Sequence, residues 1–431
     1  MSLTSISGLP LPAHPERGAL HYEIHARPPE SMRAPLAIVH LVMTTDEAER
    51  GRSRHHLTEL LSGRQMALPD DDAIHSRVDL GSVRLRWELH TEFVTWTFSR
   101  AMEHDAAVGP LDGLPADWLA RVPGLALAAV RLWVVSGRPE LDTFPVNGLL
   151  RKETLVGSTV AAGGAAAFTD FAIHSDGLSR MVLVVSELAP QQIGRTVQRM
   201  LELETYRMAA LLGLPVARAS AATLAHAERE LAGLADAICS ADRRDEPLLL
   251  DRLTKLAGEV ESQHAATQAR FTASAAYFEL VDKRLRDLNE HPSSGLQSFS
   301  EFIERRLSPA RSTCEWAARR QGALSQRVSR VSSLLSTRVD IEQQQSSEAN
   351  LIAMNRRQRM QLHLQSTVEG LSIAAITYYV AGLIGYLAKA ANKLGYSLSP
   401  ELASACSIPV AAFVIWSVGR RLHRIVAREV L

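Results

Sequence analysis

LSIAAITYYVAGLIGYLA, residues 371–388, runs for 18 residues without a charge, and its reading decides how the rest of the chain is organised. As a helix rising about 1.5 Å per residue it is about 27 Å long, close to the hydrocarbon thickness of a bilayer. A second uncharged run, LASACSIPVAAFVIWSV at 402–418, has 17 residues and carries Pro409. A proline kinks a spanning helix without excluding it. Arg356, Arg357 and Arg359 precede the first run, and Arg420, Arg421, Arg424 and Arg428 follow the second; only Lys389 and Lys393 lie between them. Positive side chains are retained on the cytoplasmic side. The expectation is a two-helix transmembrane hairpin over 371–431, with the lipid bilayer as partner and both termini cytoplasmic. The N-terminal MSLTSISGLPLPAHPERG lacks the basic segment and apolar core of a secretory signal, in keeping with that orientation. The competing reading is two buried helices of a soluble protein, since 17 to 18 residues lie at the low end of the spanning range; the bracketing basic residues and the short polar turn favour the hairpin.

Within the first run, Thr377, Tyr378, Gly382, Gly385 and Tyr386 are the candidate packing or pore residues. Small residues let helices approach closely in lipid, and buried tyrosine hydroxyls need partners. Two readings stand: tight packing of the hairpin or of an oligomer, and a narrow path along a symmetry axis. Neither run holds an acidic residue, so an intramembrane carboxylate relay has no candidate.

Upstream, 189–370 reads as helices: 191–212, with Ile193, Val197, Met200, Met208 and Leu211 on one face, then 218–240 and 247–290. HPSSG at 291–295 breaks the pattern. Residues 323–369 hold neither glycine nor proline, enough for about 70 Å of helix leading into the first apolar run. Val328, Val331, Leu335 and Val339 suggest a coiled-coil seam, but IEQQQSSEAN at 341–350 interrupts the heptad. A polar stalk packed on helix 247–290, compatible with a homo-oligomer, is the expectation.

Residues 1–188 carry strand patterns: 34–43, 75–100 with a turn at Leu80-Gly81-Ser82, 125–136, and the pair 167–175 and 179–188 around Asp176-Gly177. The fold class expected is therefore an α+β cytoplasmic domain, a long helical stalk and a C-terminal two-helix transmembrane hairpin. VAAGGAAAF at 160–168 has neither phosphate-loop nor dinucleotide spacing and reads as a turn region. No cofactor is expected.

Lys plus Arg and Asp plus Glu both number 47, which gives no global attraction to nucleic acid, and none is expected as a partner. Cys239, Cys314 and Cys406 form neither a disulfide framework nor a metal spacing.

RWELHTEF at 86–93 is the candidate polar cluster. Read as one continuous strand, it sets Arg86, Glu88, His90 and Glu92 on one face, with Val94, Trp96 and Phe98 continuing that face. Side chains two apart along a strand are roughly 6.5 to 7 Å apart, too far for one metal to bind all three unaided. A salt-bridged surface and a ligand contact are the two readings. His21 and His25 in HYEIH lack the glutamate that a zinc protease places after its first histidine. Arg27, before Pro28-Pro29, sits where a rigid loop would hold it toward a carboxylate, and His90 is a candidate neighbour of that loop.

HYEIHARP (21–28), RWELHTEF (86–93) and TVEGLSIAAITYYVAGLIGYLAK (367–389) resemble the domain of unknown function 3422 family over nearly the whole chain. That resemblance implies a bacterial inner-membrane protein with a large cytoplasmic part and no established reaction, ligand or catalytic residue. The order of parts is also similar to CorA-type magnesium transporters, whose first membrane helix ends in Gly-Met-Asn. Here Gly385 stands at the comparable place, followed by Tyr386 and Leu387, and Lys389 and Lys393 occupy the connecting loop. The expected function is a non-enzymatic, membrane-anchored oligomeric scaffold or sensor. The alternative is a divergent CorA-like channel or transporter without the signature, its ion unknown.

Overall fold

The computed structural model describes residues 14–18, 20–21, 28–70, 73–102, 109–138, 146–240, 245–293, 295–393 and 399–429. Two compact units divide the chain, Met1–Ser332 and Ser333–Leu431.

The first unit is built on a nine-stranded sheet in the order β2-β3-β4-β1-β5-β8-β7-β6-β9. The strands are β1 Leu36–Thr44, β2 His75–Asp79, β3 Arg84–Leu89, β4 Phe93–Ala101, β5 Leu125–Ser136, β6 Val156–Val160, β7 Ala165–Ile173, β8 Ser179–Val185 and β9 His291–Pro292. All neighbours are antiparallel except β5 and β8, whose parallel pairing joins the two halves of the sheet. β5 occupies the segment its alternation indicates, because every second side chain from Ala128 to Val134 is buried while the intervening ones are half-buried.

One face of the β2–β4 end packs under α1 (Glu47–Gly63) and the short α2 (Ala116–Ala120). Trp87, Trp96 and Phe98 from the strands meet Leu57, Leu60, Leu61 and Trp118 from these helices. The indole of Trp87 donates to Ser53 Oγ at 3.0 Å and that of Trp118 to the His56 carbonyl at 2.9 Å, so both polar edges are satisfied. α1 starts at a capping box: Asp46 accepts from the Glu49 amide while Glu49 accepts from the Asp46 amide.

The opposite face carries the long helices α3 (Pro190–Leu211), α4 (Gly213–Ser240), α5 (Glu246–Leu288) and the first part of α6 (Phe299–Lys393). Ile193, Val197, Met200 and Leu201 of α3 bury against Ile38, Val130, Leu132 and Val134. Within this unit α6 is tied to α5 by Arg311–Asp282 (2.8 Å), Thr267–Gln321 (2.9 Å) and Ser325–Glu261 (3.0 Å). α6 also meets α4, where Arg320 donates to both carboxylate oxygens of Glu228.

The structure corrects one expectation at its centre. Residues 75–100 are not a single hairpin but a three-strand meander with a second turn at Thr91-Glu92, across which the His90 amide donates to the Phe93 carbonyl at 2.9 Å. That turn reverses the chain and changes the parity. Val94, Trp96 and Phe98 therefore join Leu85, Trp87 and Leu89 under α1, and Arg86 and Glu88 share the other face with Thr95, Thr97 and Ser99.

In the second unit the remainder of α6 is followed by α7 (Pro400–Glu429). By length and composition, three stretches among the described residues are long and apolar enough to cross a membrane: Pro190–Ser240, Phe299–Lys393 and Pro400–Arg421. The most apolar window of the first is 33% buried, whereas that of the third is 0% buried. Pro190–Ser240 takes its apolar character from the face α3 and α4 turn to the core.

Residues 28–33 run across the start of α3, where the Met32 amide donates to the Pro190 carbonyl at 3.0 Å. A Cβ on Gly194 would overlap the Glu30 carbonyl oxygen, so only glycine permits this crossing. Gly194→Ala is expected to displace residues 28–33 and destabilise the first unit by about 1–3 kcal/mol, measured by chemical denaturation.

Candidate functional site

The face that the meander turns toward α3 is polar, unlike the rest of the helix-covered sheet. On β4, Phe93 is followed by a row of hydroxyls, Thr95, Thr97 and Ser99. Glu88 pairs in register with Thr95, and both Arg86 and His40 pair with Thr97 from either side. α3 closes the space with Gln198, Leu201, Glu202, Thr205 and Tyr206, and residues Glu30 and Met32 form one wall. The cavity, open to solvent on one side, measures about 50 Å³.

His40 is the joint between sheet and helix. Its Nδ1 lies 2.8 Å from Thr97 Oγ1 and its Nε2 3.1 Å from Thr205 Oγ1. The Thr205 hydroxyl donates its one hydrogen to the Leu201 carbonyl at 2.9 Å, so it accepts from His40 Nε2–H. Nδ1 is then the acceptor for the Thr97 hydroxyl, and the ring is neutral. Burial, aided by the charges of Arg86 and His90, lowers the His40 pKa to about 3.

Charges around the cavity occur in pairs. Arg86 donates to Glu88 at 2.7 Å, with both side chains nearly buried. Glu202 accepts from Gln198 Nε2 at 2.7 Å and from Arg284 of α5, which also binds Asp287 at 2.9 Å. Tyr206 stacks on Tyr277 at 6.0 Å between ring centres, and burial with the nearby Glu202 pushes its hydroxyl up to about 12. Burial, with Glu92 beside it, also raises Tyr277. Three fully buried polar atoms of residues around the cavity, Arg86 Nε, Thr95 Oγ1 and Gln198 Oε1, lack a hydrogen-bond partner.

The residues singled out from the sequence are thus separated. Glu88 lies in the cavity, His90 lies at its rim with its ring 4.6 Å from that of Phe93, and Glu92 turns away to Arg270 of α5 at 2.9 Å. Among the described residues no group of three or more His, Cys, Asp or Glu side chains is placed to hold a metal. His25 and Arg27 lie outside the described residues. Sequence reasoning missed His40, Thr95, Thr97, Gln198, Glu202 and Thr205. Their signal is a polar residue at the core-facing phase of an apolar element, as with His40 inside LAIVHLVMT.

In the second unit, Thr377 is buried and its hydroxyl bonds the Ile373 carbonyl at 2.6 Å. Thr377, Ala381 and Ala388 are the buried positions on the α6 run, and a Cβ on Gly385, on the same stripe, would meet Ser404 of α7. Tyr378 and Tyr386 are exposed, and Gly382 has open space where a Cβ would stand.

The profile of the family described as "Protein of unknown function (DUF3422)" matches residues 12–426. The chain belongs to this family. No curated protein and no solved structure matches it. The matched span covers both the sheet unit and the apolar helices of the second unit.

The His40 clamp has a pH consequence. Above its ordinary value of 6.5, His40 is neutral folded and unfolded, and stability is complete. As pH falls from 6.5 toward about 3, the unfolded chain takes up the proton and the folded chain does not, so stability is lost. The loss is at most about 1.4 kcal/mol per pH unit. Guanidinium denaturation between about pH 7 and about pH 5 is expected to show a steeper loss for the parent chain than for His40→Gln, which removes this proton site.

Proposed function

We propose that the chain is a non-enzymatic scaffold or sensor anchored in the bacterial inner membrane by residues 371–388 and 402–418, with the sheet unit and both termini in the cytoplasm. The observation that carries this reading is the outward face of the two apolar runs. Tyr378, Leu383, Leu387, Val410 and Phe413 are each more than 60% exposed, with 77%, 64%, 63%, 63% and 66% of their surface uncovered. Water penalises an uninterrupted apolar surface of this kind, and lipid does not. Cations stand over aromatic rings where each run ends, Lys389 over Tyr386 at 6.0 Å and Arg420 over Trp416 at 4.8 Å. Amphipathic aromatic and basic side chains favour the headgroup level. The arginine excess outside the two runs supports the orientation.

Self-association is part of the same reading. Leu351, Ile352, Met360, Leu362 and Leu364 are exposed along the α6 segment that precedes the first run. Their spacing follows no heptad, so a second copy would cover them through broad helix packing rather than a coiled-coil seam. Gly385 meets Ser404 of the same chain, which supports helix packing as the role of the small residues.

After alkaline extraction the chain is expected to stay with the membrane. A reporter fused after Leu431 should be active on the cytoplasmic side, and one inserted after Lys393 on the opposite side. Recovery of the whole chain in the soluble fraction would overturn the anchor. Cross-linking in intact membranes should yield a ladder of discrete oligomers, and a monomer alone would remove the self-association.

A further inference from the structure

We infer that a second cavity of the first unit, lined by Arg33, Arg84 and Arg100, binds a phosphate group. It is open to solvent and shares Glu30 and Met32 with the cavity described above. Its three arginines come from separate elements: Arg33 from the segment that crosses α3, Arg84 from the start of β3, and Arg100 from the last turn of the pleat in β4. Two carboxylates, Glu30 and Asp79, line the same space. Both lie against Arg84, at 3.5 and 3.6 Å, farther than the roughly 2.7–2.9 Å of a charge-assisted hydrogen bond. The guanidinium groups of Arg33, which is exposed, and Arg100, which is half-buried, have no hydrogen bond or ion pair among the described residues. The cavity therefore carries a surplus of positive charge.

The flanking groups do not remove that surplus. Arg86 is matched by Glu88, while Arg77, in register with Arg86 on β2, donates to the Pro28 carbonyl rather than to a carboxylate. Burial lowers the Arg77 pKa and the charge of Arg86 lowers it further, against the opposing pull of Glu30 and Glu88. Guanidinium forks bind oxyanions two N–H groups at a time. A carboxylate offers two oxygens in one plane, which a single fork satisfies. Forks arriving from three separate elements suit a tetrahedral group whose oxygens point in several directions, and two arginines without a carboxylate match the charge of about −2 on a phosphate monoester. The phosphorylated solute would give the proposed sensor its signal. Binding itself does not require the anchor, so a chain found wholly in the soluble fraction would overturn the anchor and leave this site standing.

The test is isothermal titration calorimetry on the full chain in mild detergent at fixed ionic strength. The probes are inorganic phosphate, glycerol phosphate, glycerophosphoglycerol as a lipid-headgroup diester, and acetate as an anion without phosphorus. The phosphate probes are expected to bind, and acetate is not. Arg33→Gln and Arg100→Gln should each weaken phosphate binding by about tenfold or more, whereas Arg218→Gln, at an exposed arginine of α4, should leave it unchanged. Thermal melting of the unliganded variants is expected to match the parent chain, since neither guanidinium holds a contact in the fold. Tighter binding of glycerol phosphate than of the diester would assign a soluble monoester, the reverse a lipid headgroup, and either supports the phosphate site. Three results would overturn the inference: no heat with any phosphate probe, acetate bound as tightly as phosphate, or a loss in Arg218→Gln equal to that in the site variants.

Discussion

The docking of α3 across the sheet is the contact on which the first unit depends, and it has two chemically different halves. Over β5 and the start of β1 the contact is apolar, with Ile193, Val197, Met200 and Leu201 set into Ile38, Val130, Leu132 and Val134. Burial of such side chains contributes about 1.5–3 kcal/mol each. Over β3 and β4 the contact is polar and is held by a neutral imidazole between two threonine hydroxyls. The apolar half supplies adhesion, and the polar half fixes how the helix is seated, since a hydrogen bond has a direction that dispersion lacks. A cavity persists at this seam because the polar side chains are fastened to one another and cannot collapse into it.

Much of the architecture is readable from residue pattern, for reasons that differ between elements. β5 is buried on alternate positions over its length, and α3 repeats its apolar residues at helical spacing, so the period reveals both. The break at HPSSG is equally plain. α1 is not visible in the same way: its apolar residues are few, Gly51 lies inside it, and only the Asp46 and Glu49 capping box marks its start. Reading on through Thr91-Glu92 as continuous strand went astray because two polar residues between apolar runs fit an exposed strand edge as well as a two-residue turn. That one ambiguity moved three large aromatic and aliphatic residues to the wrong side.

The candidate site was half legible for the same reason. Glu88 and Arg86 could be found on β3, because a charged pair inside a strand of alternating apolar residues is conspicuous. Their partners are on β1, on β4 beyond the turn, and on α3 more than a hundred residues later. No local spacing connects His40 with Thr205; only the fold does. Glu92 shows the converse, since its neighbourhood in sequence to Glu88 says nothing about its bond to Arg270.

Pro292 in β9 has a consequence of a different kind. This two-residue strand closes the β6 edge of the sheet, and one of its two residues has no backbone N–H to offer a further strand. At the other edge, β2 carries Arg77 and Asp79, charges that a sheet extended by another chain would have to bring close together. Both borders of a nine-stranded sheet are thereby made poor templates for growth.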